Sequence, residues 1–233
     1  MEIHKRGIWS KKADTGQVEL AVAVQTKSMK KLLLWAFLIS GMAALIYEIA
    51  WTRPLQLIFG STIYAVSTIL TTFFIGFALG SFLFRNIADK AKNPTLLFSK
   101  LEFGIGIYGI IILYLFAILP SIYLSIIDLP GFQFIQFILL FLVLIIPATL
   151  FGATWPVVNK AYSDLHSLGK DTAILYSFNS FGAFLGPIAA GFILIPLIGI
   201  KSTSIFAAFL NILIALLIFS YSKKLRKRGK NES

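Results

Sequence analysis

The chain has no cysteine, and only two histidines, His4 and His166, both in polar stretches. Disulfides, thiolate metal ligands and cysteine nucleophiles are excluded, and a histidine-rich metal or haem centre has no donors. No histidine lies within an apolar run, so a nucleophile–histidine–acid set cannot be assembled there. No glycine-rich loop follows a strand-like run, so no dinucleotide-type site can be placed. We therefore expect no catalytic residue, no metal and no cofactor on this chain. Charge is scarce as well. Only 13% of the 233 residues are Asp, Glu, Lys or Arg, against about 25% in soluble domains. The balance of +11 does not point to nucleic acid, because the basic residues stand at the ends of apolar runs, as membrane proteins place them.

What is abundant is apolar surface. Hydrophobic residues make up 58% of the sequence, with a mean hydropathy of +0.84. A soluble domain of that composition could not cover itself with polar groups, so the lipid bilayer is the expected solvent. Spanning it takes about 20 apolar residues. Six runs meet or approach that length: Leu32–Trp51, Thr62–Phe84, Phe103–Leu119, Gly131–Val158, Thr172–Ile198 and Ser204–Tyr221. The fourth holds Pro147 and Pro156, the fifth Pro187 and Pro196; kinks or tilt would absorb their extra length.

The expected fold is all-α: a polytopic membrane protein with six transmembrane helices forming one membrane domain over residues 29–222. A polar extension, residues 1–28, precedes it and a basic tail, residues 223–233, follows. Met29-Lys30-Lys31 ahead of LLLWAFLIS is an alternative start, under which residues 1–28 would not be translated. With the N-terminus placed inside, 19 of the 21 Lys and Arg fall on the cytoplasmic side, leaving Arg53 and Lys201 outside. Both termini are then cytoplasmic in a cell-membrane protein. The tail KKLRKRGK reads as a stop-transfer cluster or a contact for anionic head groups.

Glu48 is the first candidate site residue. It lies 16 positions after Leu32, about 24 Å along a helix. A carboxylate there is either a cation or proton site or a structural partner of Arg53. Tyr47 and Trp51 read as interfacial anchors, and Tyr47 also joins the candidate binding set. Glu102 opens the third run, where a salt bridge at the interface is expected. The two glutamates would sit toward opposite faces, which argues against a two-carboxylate clamp. Tyr176 and Asn179 lie one to two turns into the fifth run, where Asn179 would either line a polar cavity or bond a neighbouring helix. Asn211 reads as a packing contact, and Gln133 and Gln136 as groups reaching water. Gly76/Gly80 and Gly182/Gly186 are small-xxx-small pairs suited to close helix packing.

Several patterns recur in order: LIYEIAWTR followed by LIFGSTIYAVSTIL, then GFALGSFLF with RNIADK, IPATLFGATWPVV, and LYSFNSFGAFLGPIAAGFILIPLIG. Together, from about Lys30 to Tyr221, they resemble the membrane domain of the spermidine synthase-like family. That domain is in turn similar to one six-helix half of a major facilitator superfamily transporter. Asp89, Lys90 and Lys92 fall on the loop motif between the second and third helices of such a half, with Phe84 where a glycine is common. Gly182, Gly186, Pro187 and Gly191 fall on the glycine-proline motif of the fifth helix. The resemblance implies Asp89 meeting a helix N-terminus of another half, here supplied by a second copy in a homodimer. It implies no aminopropyl transfer, because the soluble domain has no counterpart in this sequence. Two functions follow as expectations. One is transport or binding of a small cationic or amphiphilic solute such as a polyamine. The other is a membrane anchor that docks a separately encoded aminopropyltransferase-like protein.

Overall fold

In the computed structural model, the backbone of residues 3–126, 128–163 and 167–231 and the side chains of residues 27–61, 63–125, 128–163 and 167–224 are described. His166, the side chain of His4, most other side chains of the polar extension, and all side chains of the basic tail but those of Lys223 and Lys224 lie outside these residues.

Every described element is helical. In order they are α1 (Ile3–Phe59), α2 (Thr62–Lys90), α3 (Pro94–Ile126), α4 (Phe132–Tyr162), α5 (Leu168–Ile188), a π-helical turn (Ala189–Leu194) and α6 (Ile195–Asn231). Left-handed glycines close two of the connections: Gly60 (φ 64°) before α2 and Gly131 (φ 72°) before α4. These are conformations that a side chain disfavours. Asn93 opens α3, its Oδ1 accepting from the Leu96 N–H at 3.0 Å, an N-cap arrangement.

Among the described residues, five helical stretches are long and apolar enough to cross a bilayer. The sixth separate run expected from the sequence is not resolved as its own stretch. Residues Leu168–Lys224 form a single 57-residue stretch, because the residues between the fifth and sixth runs stay helical apart from Gly199 (φ 80°, ψ 167°). The contacts change direction there. Lys30 Nζ lies 3.7 Å from Asp171 at the start of α5, and Trp51 Nε1 donates to Ser204 Oγ at 3.0 Å beyond the break. Asn93 Nδ2 then donates to Ser222 at 3.2 Å. Thus α5 ascends alongside α1, while α6 descends along α3.

Close pairs of helices build the bundle. α2 meets α4 where Gly76, Gly80 and Gly152 leave no room for a side chain: a methyl group on Gly80 would collide with the Thr149 carbonyl, and one on Gly152 with that of Phe77. α1 meets α5 in the same way, Gly182 lying against the Leu38 carbonyl and Gly186 against that of Met42. The small-xxx-small pairs thus do what such pairs do in lipid, where dispersion and close backbone approach replace the hydrophobic effect. Pro187 removes one helical donor, and the wide turn Ala189–Leu194 follows directly.

Two apolar clusters fill the bundle. One, at the Lys30 end, gathers Leu33, Phe37, Ala88, Phe98, Val157, Leu175 and Ile218. The other centres on Tyr47 and Trp51. Trp51 is 1% exposed and Tyr47 0%, so neither is an interfacial anchor as expected. They face the bundle instead. Trp51 packs against Tyr47 with the rings tilted by 35° (centroids 4.7 Å apart) and meets Phe73 of α2 and Phe116 of α3 edge-on. Its indole N–H is satisfied by Ser204, which removes the need to seek water.

Candidate transport cavity

Helix α1 carries two kinds of site on adjacent sides. On one side Phe37, Ser40, Gly41, Ala44 and Leu45 line a cavity of about 260 Å³. Spacings of three and four residues put them on one helical face. α2 closes it with Phe77 and Ser81, α4 with Phe151, Gly152, Thr154 and Trp155, and α5 with Asn179 and Ala183. The lining is aromatic, hydroxyl and amide, with no charged side chain. Ser81 Oγ donates to the Gly152 carbonyl at 2.9 Å, and Thr154 Oγ1 to the Phe151 carbonyl at 2.7 Å, so both hydroxyls are anchored. Gly41 is the contact point with Asn179: a methyl group there would come within 2.6 Å of the amide oxygen.

The second side of α1 faces α3 and α6. Glu102 is fully buried there. Ser40 Oγ donates to Glu102 Oε1 at 2.6 Å, and Asn211 Nδ2 donates to Oε2 at 2.7 Å. The interfacial salt bridge expected for Glu102 is absent among the described residues. α3 begins at Pro94, nine residues before the apolar run Phe103–Leu119, so Glu102 lies two turns inside the helix, and its carboxylate is turned into the bundle onto Ser40 and Asn211. Asn211 is a helix-to-helix contact, as expected. One face farther along, Tyr47 packs its hydroxyl against Gly109, with no hydrogen-bond partner.

The remaining expected site residues are distributed as follows. Asn179 lines the cavity. Tyr176 is 63% exposed and meets Trp155 edge-on, with ring centroids 6.1 Å apart, one step outside it. Glu48 is half-buried and follows Gly41, Ala44 and Leu45 at helical spacing, one turn beyond the lining. It makes no ion pair with Arg53 among the described residues, and Arg53 is exposed. Tyr47 faces away from the cavity. Asp89, Lys90 and Lys92 are exposed at the end of α2. Gly191 lies in the π-helical turn in open space. Gln136 does not reach water: it is 4% exposed and donates to the Ile58 carbonyl at 2.7 Å, satisfying an acceptor at the end of α1. Gln133 lines a second hollow with Tyr64, Thr68 and Tyr123.

Sequence reasoning missed Ser40, Phe77, Phe151 and Trp155. A signal for Ser40 existed: with Tyr47 and Glu48 it is one of the few polar groups in the first run. The aromatics gave none, because they are indistinguishable in one dimension from core.

A family model of the Major Facilitator Superfamily matches residues 32–233. The chain belongs to that family. No curated protein and no solved structure matches it significantly. As a Major Facilitator Superfamily member it is a transporter-like, membrane-embedded, multi-pass helical protein.

Proposed function

We propose that the chain is a non-catalytic membrane protein that moves a small amphiphilic solute with one cationic end. The observation that carries this is the uncharged, aromatic lining of the cavity. Phe77, Phe151 and Trp155 offer ring faces to an apolar body or a cation, while Ser40, Ser81, Thr154 and Asn179 offer a few directed polar contacts. Glu48, one turn farther along α1, supplies a carboxylate for the charged end. Because Glu102 lies on another side of α1, a solute with a single charged end is favoured over a diamine held by two carboxylates. Monoamines with an apolar body are therefore the first compounds to try, with polyamines, which the resemblance to the spermidine synthase-like membrane domain implies, as the comparison.

The account includes six crossings. A 57-residue stretch would be about 85 Å long as one helix, against about 30 Å of hydrocarbon. The reversal of contacts at Gly199 supports two passages. The basic residues Lys30, Lys160, Lys170 and Lys223 would then share the cytoplasmic side, with both termini. A second copy set against the α2 and α5 faces would roof the cavity, in a homodimer of twelve spans. Uptake of labelled polyamines and monoamines into proteoliposomes tests the reading. Protein-dependent flux that falls in Trp155→Ala and Glu48→Gln supports it; flux equal to that of empty liposomes for every compound contradicts it.

The alternative is an anchor for a separately encoded aminopropyltransferase-like protein, docked on the basic end. Recovery of such a protein from native membranes by pull-down would favour it over transport.

A further inference from the structure

A buried carboxylate usually faces a cation or a metal. Glu102 faces neither. No charged side chain of α1, α4 or α6 among the described residues reaches ion-pair distance, and no group of acidic or histidine residues there could share a metal. Its partners are instead groups able to bond either form of a carboxyl. As a carboxylate, it accepts from Ser40 Oγ and Asn211 Nδ2. As a carboxylic acid, it would donate, and both neighbours can receive. A serine hydroxyl is donor and acceptor alike. Asn211 is fully buried, and its Oδ1 has no hydrogen-bond partner; rotating the amide would turn that oxygen onto the acid proton.

Ser40 stands at the border of the two sides of α1. Its hydroxyl donates to Glu102, and the residue is part of the cavity lining. We infer that Glu102 is a proton-carrying site filled from the cavity through Ser40. In the transfer, a proton from cavity water binds Ser40 Oγ as the serine's own proton passes to Glu102 Oε1. The hydroxyl is regenerated, the carboxylate becomes a neutral carboxyl, and one positive charge has entered. Among the described residues, the other titratable group near Glu102 is Tyr47 of α1, within electrostatic range; α6 presents Asn211, and the hydroxyl of Ser99, on α3 itself, is committed to the Ala215 carbonyl. The inference rests on the cavity being the path proposed above, and assigns that path a coupled ion.

Infrared spectroscopy of the full chain reconstituted in lipid reads the carboxyl directly and needs no solute. Acidification should raise a buried carboxylic acid band that Glu102→Gln removes and Ser40→Ala shifts. The chain has no cysteine of its own, so Ala183→Cys can be alkylated with a bulky reagent to plug the cavity. Plugging should slow the deuterium shift of the band about tenfold or more, and sodium at constant pH should leave the band alone. No acid-dependent band, a band unchanged by Glu102→Gln, equal exchange with the cavity plugged, or displacement by sodium would each overturn the inference. If Glu102→Gln does not fold, the Ser40→Ala shift decides the assignment. Uptake lost with the band intact sinks only the transport reading; a missing band with uptake intact sinks only the proton site.

Discussion

The two sides of α1 solve the same problem in opposite ways. Toward α3 and α6, Tyr47 and Trp51 fill space against Gly109 and Ser204, and Trp51 and Glu102 are tied to named partners, while the Tyr47 hydroxyl and Asn211 Oδ1 are left without one. Toward α2, α4 and α5, small residues, Gly41 and Ala44, hold space open, and the hydroxyls beside them are turned onto backbone carbonyls, leaving a hollow lined by rings. Dense packing with internal hydrogen bonds is what hydrocarbon solvent demands of a static wall. A hollow is tolerated only where something else is to occupy it. The lesson is that in this bundle the location of charge is a poor guide to the cavity: Glu102 lies outside its lining, which is uncharged and largely aromatic.

Substitutions can break or sharpen that contrast. The largest effects belong to the helix contacts that hold both sides in place. Gly182→Ala and Gly80→Ala force α5 from α1 and α2 from α4, and should each cost about 1–3 kcal/mol, read as a lower thermal midpoint of purified protein. Gly191→Ala, in open space, should change stability by no more than about 0.5 kcal/mol. Next comes the wall. Glu102→Ala strands Ser40 and Asn211 and should cost about 1–3 kcal/mol for each group left without a partner. Trp51→Phe and Ser204→Ala should each lose about 0.6–2 kcal/mol and be non-additive together, since one bond joins them. Tyr47→Phe should go the other way: removing a buried hydroxyl that has no partner should stabilise by about 1 kcal/mol. The smallest stability changes, within about 0.5 kcal/mol, are expected for Asn179→Ala and Tyr176→Ala. Asn179→Ala should nonetheless cut uptake severalfold, whereas Tyr176, outside the lining, should cut it less. A disulfide between two copies carrying Phe184→Cys, in native membranes, would place a second copy on the cavity side; its absence at every α5 position tried would leave that side to lipid.

Much of the architecture was legible in the sequence because hydrocarbon leaves few choices. Runs of about 20 apolar residues must be helices, and the small-xxx-small glycines marked the α2–α4 and α1–α5 contacts. The break at Gly199 falls in the gap between the fifth and sixth runs, where Lys201, Ser202 and Thr203 interrupt the apolar sequence; what one dimension hid is that the backbone stays helical on both sides of that single glycine. For Asn179 the sequence left two readings open, a cavity lining or a contact with a neighbouring helix, and the residue lies in the cavity lining. Glu102 was misjudged because its nearest charges in sequence are Lys100 and the Arg85–Lys92 segment, whereas its partners, Ser40 and Asn211, come from helices 62 and 109 residues away. Tyr47 and Trp51 were misread because aromatic residues near a run's end look alike whether they face lipid head groups or the bundle; a partner 153 residues away made the difference.

Single cysteines in this naturally cysteine-free chain test the division of α1 most directly. Ala183→Cys and Ala44→Cys, on the cavity side, and Ala207→Cys and Ala208→Cys, in the wall, should be treated in native membranes with a small water-soluble maleimide. The account predicts fast labelling of the first pair and no labelling of the second until the protein is unfolded. Equal labelling of both pairs, or labelling of the wall pair alone, would contradict it.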